Sequence, residues 1–572
     1  MGFFNKYPYT DFHELNLDWV LQTVKLIGEK VDNFINFNSI KYADPLAWNI
    51  TTQYAANTVV IDPATGIAYL STQPVPNGVL ITDTNYWTAI FDMSQFFADL
   101  GDINDLLTTD KTSVVNAINE IFTDLENISD TFPFVTPEMF GAVGDGNTDD
   151  TDAINNALLS GKYVLFKSGA VYLIDTLVHV KPQSDQIVDL NFCTLKAIPN
   201  AADSYRIIKV ADAENVTIKN GTLLGDRDDH LALTGESGNG VEIKDSNNIT
   251  LDNLTIKNCW GDGVYIGSDH GQFSDKVTVT NCHIDRARRN GISVVYASNF
   301  AITNNLITNT DGTAPRAGID IEPDADKFVV GGVVENNTFK NNWRGICTAA
   351  DSSAENVRDV SINNNVVYVD INAVHGIDYQ GMVNSTLHGN LISFEGSAST
   401  AQGLLVKECI DCTISENTLC GDGYQILIIT DDEHCTFSGN KFIKMTSTTG
   451  KFAMITGMKN CVFKDNVIDT CQAGSAGTGN LFSIDNNTDD NIISSNIFRS
   501  CTCASVIMLQ GNSNRNEFIY NRADAGTNYT FSNYGLTGTD NKAYMNIVTS
   551  GGIGNITAAY SPVNNIIDGV LT

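Results

Sequence analysis

From about residue 210 to 521 one pattern of apolar and polar positions recurs: an apolar residue, polar filler, Asn, then an apolar residue. ITNNLI, VENNTF, INNNVV, LHGNLI, ISENTL, FSGNKF, FKDNVI, ISSNIF and FIYNRA carry it. Their last aligned Asn residues stand at 305, 337, 365, 390, 417, 440, 466, 496 and 521. A second mark runs beside it as GVEI, GVYI, GISV, GIDI, GICT, GIDY and GLLV, beginning at Gly240, Gly263, Gly291, Gly318, Gly345, Gly376 and Gly403. Two marks of one shared period define a coil of a solenoid. Each coil is predicted to hold short β-branched strands separated by turns in which Asn and Gly take positive φ. The Asn column also allows side-chain amides to hydrogen-bond along the stack. Beyond residue 522 the mark fades, and 522–572 reads as a C-terminal β-rich end.

The segments before the solenoid follow other periods. Leu17, Val20, Val24, Ile27, Val31 and Phe34 alternate steps of three and four, a heptad seam on a helix spanning 1–39. Two heptads are also compatible with an amphipathic helix packed on its own domain. Residues 40–93 change to short apolar runs punctuated by Pro and Gly, a small antiparallel β module. Its Trp48, Tyr69, Tyr86 and Trp87 suit a sugar-binding face, a virion contact or a core. Val114, Ile118, Ile121, Leu125 and Ile128 form a second seam within 94–132. Two marginal seams make sense if several copies of the chain associate.

Composition narrows the partners. The formal charge of −33 disfavours nucleic acid and any uniformly anionic target. No apolar stretch approaches the roughly 20 residues of a membrane span, so no membrane insertion is expected. The opening MGFFNKYPYTDF lacks a basic segment followed by an apolar one, so release by lysis of the producing cell is the expected route outward. The 12 cysteines include one CxxC, Cys409 and Cys412, with no second pair at zinc spacing. They read as buried thiols, and neither a structural metal nor a cofactor is expected.

The repeat puts residues of successive coils in register. In GIDIEP, Ile319 and Ile321 point inward, so Asp320 and Glu322 project outward together, about 6.5–7 Å apart by strand rise. One coil back RARRNGISV supplies Arg286, Arg288 and Arg289, and two coils back WGDGVYI supplies Trp260, Asp262 and Tyr265. One coil forward stand Trp343 and Arg344, and the next holds His375 and Asp378. The glycines of GDGVYIG read as turn glycines.

Glycoside hydrolysis needs one carboxylic acid to protonate the leaving oxygen and a carboxylate to activate water or attack. Asp320, Glu322, Asp262 and Asp378 are the catalytic candidates. Asp320 with Glu322 fits the inverting separation along one strand, and Asp320 with Asp378 lies roughly 9.6 Å apart by strand spacing. Arg289 and Arg344 suit anionic substituents; Trp260, Tyr265 and Trp343 suit sugar faces, and His375 completes the strip.

Several stretches also resemble known families. TGIAYLSTQPVPNG with its closing YWT resembles β modules near the start of phage tail and appendage proteins. LGDINDLLTTDKTSVVNAINEIFTDLEN resembles the coiled-coil connectors of phage tail fibres. GAVGDGNTDDTDAI resembles the opening of pectate-lyase-like right-handed β-helix domains, where a short helix, here ending near Leu158, plugs the solenoid. Its Asp and Thr residues suit capping of that helix. The layout as a whole resembles phage tailspikes and podovirus-type pre-neck appendages.

The expected fold is therefore mainly β: a right-handed parallel β-helix over 133–521, behind coiled-coil segments and a small β module. The resemblance implies a homotrimer in the virion tail or appendage. It would attach to tail or neck proteins through its N-terminal region and bind a bacterial surface polysaccharide or teichoic acid. Three activities stay open. They are hydrolysis, a lyase reaction on a uronic-acid polymer with His375, Tyr265 or an Arg as base, and adhesion without cleavage.

Overall fold

A computed structural model describes residues 46–92, 134–350, 355–370, 372–396, 401–474, 479–524, 529–534 and 537–548, with short strand segments between 552 and 571. Both heptad seams lie outside the described residues. The chain forms two units, Met1–Thr131 and Phe132–Thr572.

In the first unit, strands Leu46–Ala47, Val59–Ile61, Ile67–Ser71 and Trp87–Asp92 form a four-stranded sheet in sequence order. The first pair is parallel and the others antiparallel. Trp87 is buried against Tyr54, edge to face at 5.4 Å, with Val60, Val75 and Ile81. Trp48, Tyr69 and Tyr86 pack on this cluster, so the aromatic set serves as a core.

The second unit is a parallel β-solenoid. Most coils contribute one strand to a 14-stranded sheet and two strands to a 33-stranded sheet. In one coil these are Val357–Asn363, Val366–Val369 and His375–Gln380. Alternating residues point inward. Ile292, Ile319, Ile346, Ile377 and Leu404 stack in register along the 14-stranded sheet and are all buried. The helix Thr151–Ser160 adds Ile154, Ala157 and Leu158 to the same core.

The acidic run before that helix is turn chemistry, but Asp150 at the N-cap position does not cap it. Its carboxylate accepts instead from the backbone N–H of Val143 (2.6 Å) and Gly144 (3.1 Å). Asp149 Oδ1 accepts from Thr151 N at 3.0 Å.

The Asn column is a continuous hydrogen-bonded ladder. Each amide Nδ2 donates to the Oδ1 of the next Asn, from Asn305 through 337, 365, 390, 417, 440, 466, 496 and 521. It continues to Asn546 and Asn565, past the point where the sequence mark fades. The left-handed residue of each turn is the one before the ladder Asn: Asn304, Asn336 and Asn364, but also Glu416, Asp465, Ser495 and Tyr520. Stacking overrides the ordinary preference for Asn or Gly there.

The glycine column corrects the turn reading. None of Gly263, Gly291, Gly318 or Gly345 has positive φ. A Cβ at Gly318 would lie 2.5 Å from the Phe339 ring and 2.6 Å from the Gly345 carbonyl oxygen. These glycines are required by close approach between coils. Gly318→Ala is expected to destabilise the chain by about 1–3 kcal/mol through overpacking, read as a lower thermal midpoint.

Of the 12 cysteines, 11 are buried. Cys435 and Cys461 occupy a column that later holds Asn491 and Asn516: Cys435 N donates to Cys461 Sγ at 3.2 Å, and Cys461 N to Asn491 Oδ1 at 2.9 Å.

Candidate functional site

The outward column of the 14-stranded sheet reads Glu242, Tyr265, Ser293, Asp320, Cys347, Asp378, Leu405 across successive coils. Asp320 and Asp378 are thus two coils apart in one register, as the repeat predicts. Chemistry ends at Leu405, because the following positions are Ile428 and Met454.

A cleft of about 370 Å³ opens over the first part of this column, lined by Glu236, Asp262, Tyr265, Arg289, Asp320, Glu322 and Asp324 among others. Asp262 lies at its base and is buried. Its carboxylate accepts from Arg289 Nη1 (3.0 Å), Ser293 Oγ (2.8 Å) and Asn290 N (3.0 Å). Burial pushes its pKa up against the pull of Arg289, Ser293 and Asn290. Arg289 also faces Glu236, at 3.8 Å.

Asp320 is only 2% exposed although its column faces outward. Asn290 Nδ2 donates to its Oδ2 at 3.0 Å, while Oδ1 has no donor. Glu322 follows just past the strand's end, exposed, and its charge acts on Asp320. Burial, then the Glu322 charge, pushes the Asp320 pKa up to about 8, with Arg289 opposing. Asp320 and Glu322 line the same cleft, the first buried and the second exposed. Replacing Arg289 by Gln removes that opposition, so the alkaline limb of any Asp320-dependent activity should move to higher pH. A pH–rate profile of the two proteins checks it.

Other residues of the strip fall elsewhere. Trp260 is buried, stacked on His230 at 4.2 Å and under the Arg288 guanidinium at 3.8 Å, so it presents no open face to a sugar. Arg288 is held by Trp260 O, and Arg286 pairs with Asp228 at 2.8 Å. Only Arg289 of the three arginines lines the cleft. Tyr265 does line it, its hydroxyl pKa raised by burial. Trp343 borders a different cleft. Asp378 is buried, with His375 Nδ1 3.2 Å and Arg344 Nε 3.8 Å from its Oδ2. His375 Nε2 lies 2.6 Å from Gln402 Oε1. Cys347 stands between Asp320 and Asp378 in register, its thiol pushed up by burial and by both carboxylates.

Sequence reasoning missed Glu236 and Asp324, which sit in turns without a repeat mark. It also missed Asn290 and Ser293, although NGISV is in register with GIDI and signals both. Away from the cleft, Asp212, Asp245 and His270 bring ligand atoms within 4.8 Å of one another. Asp245 is already engaged by Ser268 Oγ and the backbone N–H groups of Asp269, His270 and Gln272.

Residues 177–400 match the model of the right handed beta helix region. The chain is 29% identical over 214 residues to the uncharacterized protein YclG of Bacillus subtilis, covering 32% of this chain and 37% of that one. It is 37% identical over 83 residues to a capsule K30/K69-specific depolymerase of Klebsiella phage K64-1, covering 14% and 11% respectively. The matches span at most about a third of these relatives' lengths. The tailspike protein of E. coli bacteriophage HK620, solved with a pentasaccharide, superposes with a TM-score of 0.50 at 13% identity, over 73% of this chain and 81% of that one. The chain therefore carries a right-handed β-helix region over residues 177–400, within a solenoid whose fold is that of a phage tailspike.

Proposed function

We propose that the protein is a tailspike-type glycan depolymerase that hydrolyses a bacterial surface glycan in the cleft between Glu236 and Asp324. The observation that carries this reading is Asp320, a buried carboxyl kept protonated near neutral pH beside an exposed carboxylate, in an open groove. Such a group is poised to donate a proton to a glycosidic oxygen. Once it does so, Arg289 and Asn290 stabilise the resulting anion, and Glu322 relays a proton back. A rim carboxylate, Glu236 or Asp324, would assist the attacking water. Asp262 is a positioning residue that aims Arg289, Asn290 and Ser293. Asp378, two coils along from Asp320, orients His375 and Arg344.

Hydrolysis is favoured over a lyase reaction because the cleft holds five carboxylates and one arginine, and Arg289 is already paired with Asp262. A uronate carboxylate at the point of cleavage would meet repulsion rather than a cation. The shared tailspike fold and the depolymerase relative support a glycan as substrate. On the same reading the chain acts as a homotrimer in a virion tail, attached through its N-terminal region.

The test is digestion of envelope polysaccharides by the full-length protein, with mass analysis of products. New reducing ends without absorbance from unsaturated uronate are expected. Unsaturated products would replace hydrolysis by elimination, and binding without cleavage would reduce the protein to an adhesin.

A further inference from the structure

A second cleft, about 740 Å³, opens where residues 309–316 and 341–343 meet Asp370 and Asn372. It is separate from the carboxylate cleft in its lining: no residue is shared between the two. Its chemistry is also opposite. The Arg316 guanidinium lies over the Trp343 ring, 3.8 Å from its centroid. Arg316 itself is held with φ of +60°, an uncommon conformation for a non-glycine residue, which fixes where its side chain departs. Its Nε is buried without a hydrogen-bond partner.

The nearby carboxylates do not neutralise it. Asp311 is paired with Arg227 at 2.6 Å. Asp370 Oδ1 accepts from the backbone N–H groups of Asn372 (2.7 Å) and Ala373 (2.9 Å). Among the described residues, Arg316 therefore has no carboxylate within ion-pair distance in a chain with a formal charge of −33. Arg344 flanks the same indole at 5.3 Å, with Nη1 donating to Pro315 O.

We propose that this cleft binds an acidic sugar, its carboxylate held by Arg316 and its position set by Trp343. A guanidinium held over an indole can still fork a carboxylate through its outer N–H groups, and the ring contact holds it in place before the ligand arrives. Desolvation at the Trp343 face strengthens both contacts. Exposed amides such as Asn341 supply hydrogen bonds for sugar hydroxyls. The glycan would then be divided between clefts, with a neutral unit at the carboxylate-rich one and an acidic unit here. This inference rests on the glycan-binding reading and not on the cleavage chemistry.

The experiment is calorimetric titration of the full-length protein with an α-1,4-linked galacturonate hexamer, and with its methyl ester as the uncharged control. The acid should bind at least about tenfold tighter than the ester. Arg316→Ala should erase that difference, Arg316→Lys should keep part of it, and Trp343→Phe should weaken both ligands. Thermal melts of each variant separate lost binding from lost fold, and Arg316→Lys carries the test if Arg316→Ala does not fold. Equal binding of acid and ester, no binding of the acid, or a folded Arg316→Ala chain that binds it unchanged would each overturn the site. Selective binding of the acid by a protein that cleaves no glycan would sink the hydrolase reading while leaving this one intact.

Discussion

Asp320→Asn is expected to lower depolymerisation by about 10²–10⁴-fold while leaving the solenoid folded, because amide nitrogen cannot donate as a carboxylic acid does. The loss should fall on turnover more than on affinity. In the parent, activity should decline as pH rises through about 8, where Asp320 gives up its proton. The same substitution has a consequence for stability of opposite sign. The folded chain holds the Asp320 proton up to about 8, whereas the unfolded chain releases it near the ordinary carboxylate value of 3.8. Stability from this group is therefore full below about pH 4 and lost progressively as pH rises through 8. Asn carries no charge and escapes that loss. The thermal midpoint of Asp320→Asn should exceed the parent's by a margin that grows from pH 4 to pH 8. An inactive variant with no such pH-dependent gain would mean that Asp320 is not the buried acid described.

The second large effect is expected at Asn417, in the middle of the ladder. Its Oδ1 accepts from Asn390 Nδ2 and from Asn390 N, both at 2.9 Å. Its Nδ2 donates to Leu387 O at 2.8 Å and to Asn440 Oδ1 at 3.0 Å. Asn417→Leu keeps the volume but strands buried donors and acceptors on two neighbouring coils. Each stranded group costs about 1–3 kcal/mol, so a total loss of roughly 3–5 kcal/mol is expected after partial relaxation. Faster thermal unfolding and a lower midpoint would report it. A change under about 0.5 kcal/mol would show that water or a shifted coil can replace the ladder contacts.

The Asn and glycine marks were legible because a solenoid repeats its chemistry at each coil, so one physical requirement is written many times. The ladder's last two members, Asn546 and Asn565, escaped notice because their flanking residues no longer match. Tyr520 and Met545 in left-handed turns were illegible for a related reason: local propensity disfavours them, and stacking between coils decides. Trp260 and Trp343 were counted into one strip from sequence proximity to the column. Trp260 precedes its strand and turns into a stack with His230, whereas Trp343 lies against Arg316 at a second cleft.

By itself the sequence determined the β-solenoid, its period and the register that aligns Asp320 with Ser293, Cys347 and Asp378, since period and side-chain alternation are local properties of the chain. Only the tertiary structure decided how the aligned groups meet. Asp320 is buried with one carboxylate oxygen unpartnered, whereas Glu322, two residues on, is exposed, and both line one cleft. Asp262 becomes a buried brace, and Arg316 has no ion-pair partner among the described residues. Register sets which coils are neighbours, but burial and competition among nearby partners set charge states, and those depend on groups 20 to 90 residues away in the chain.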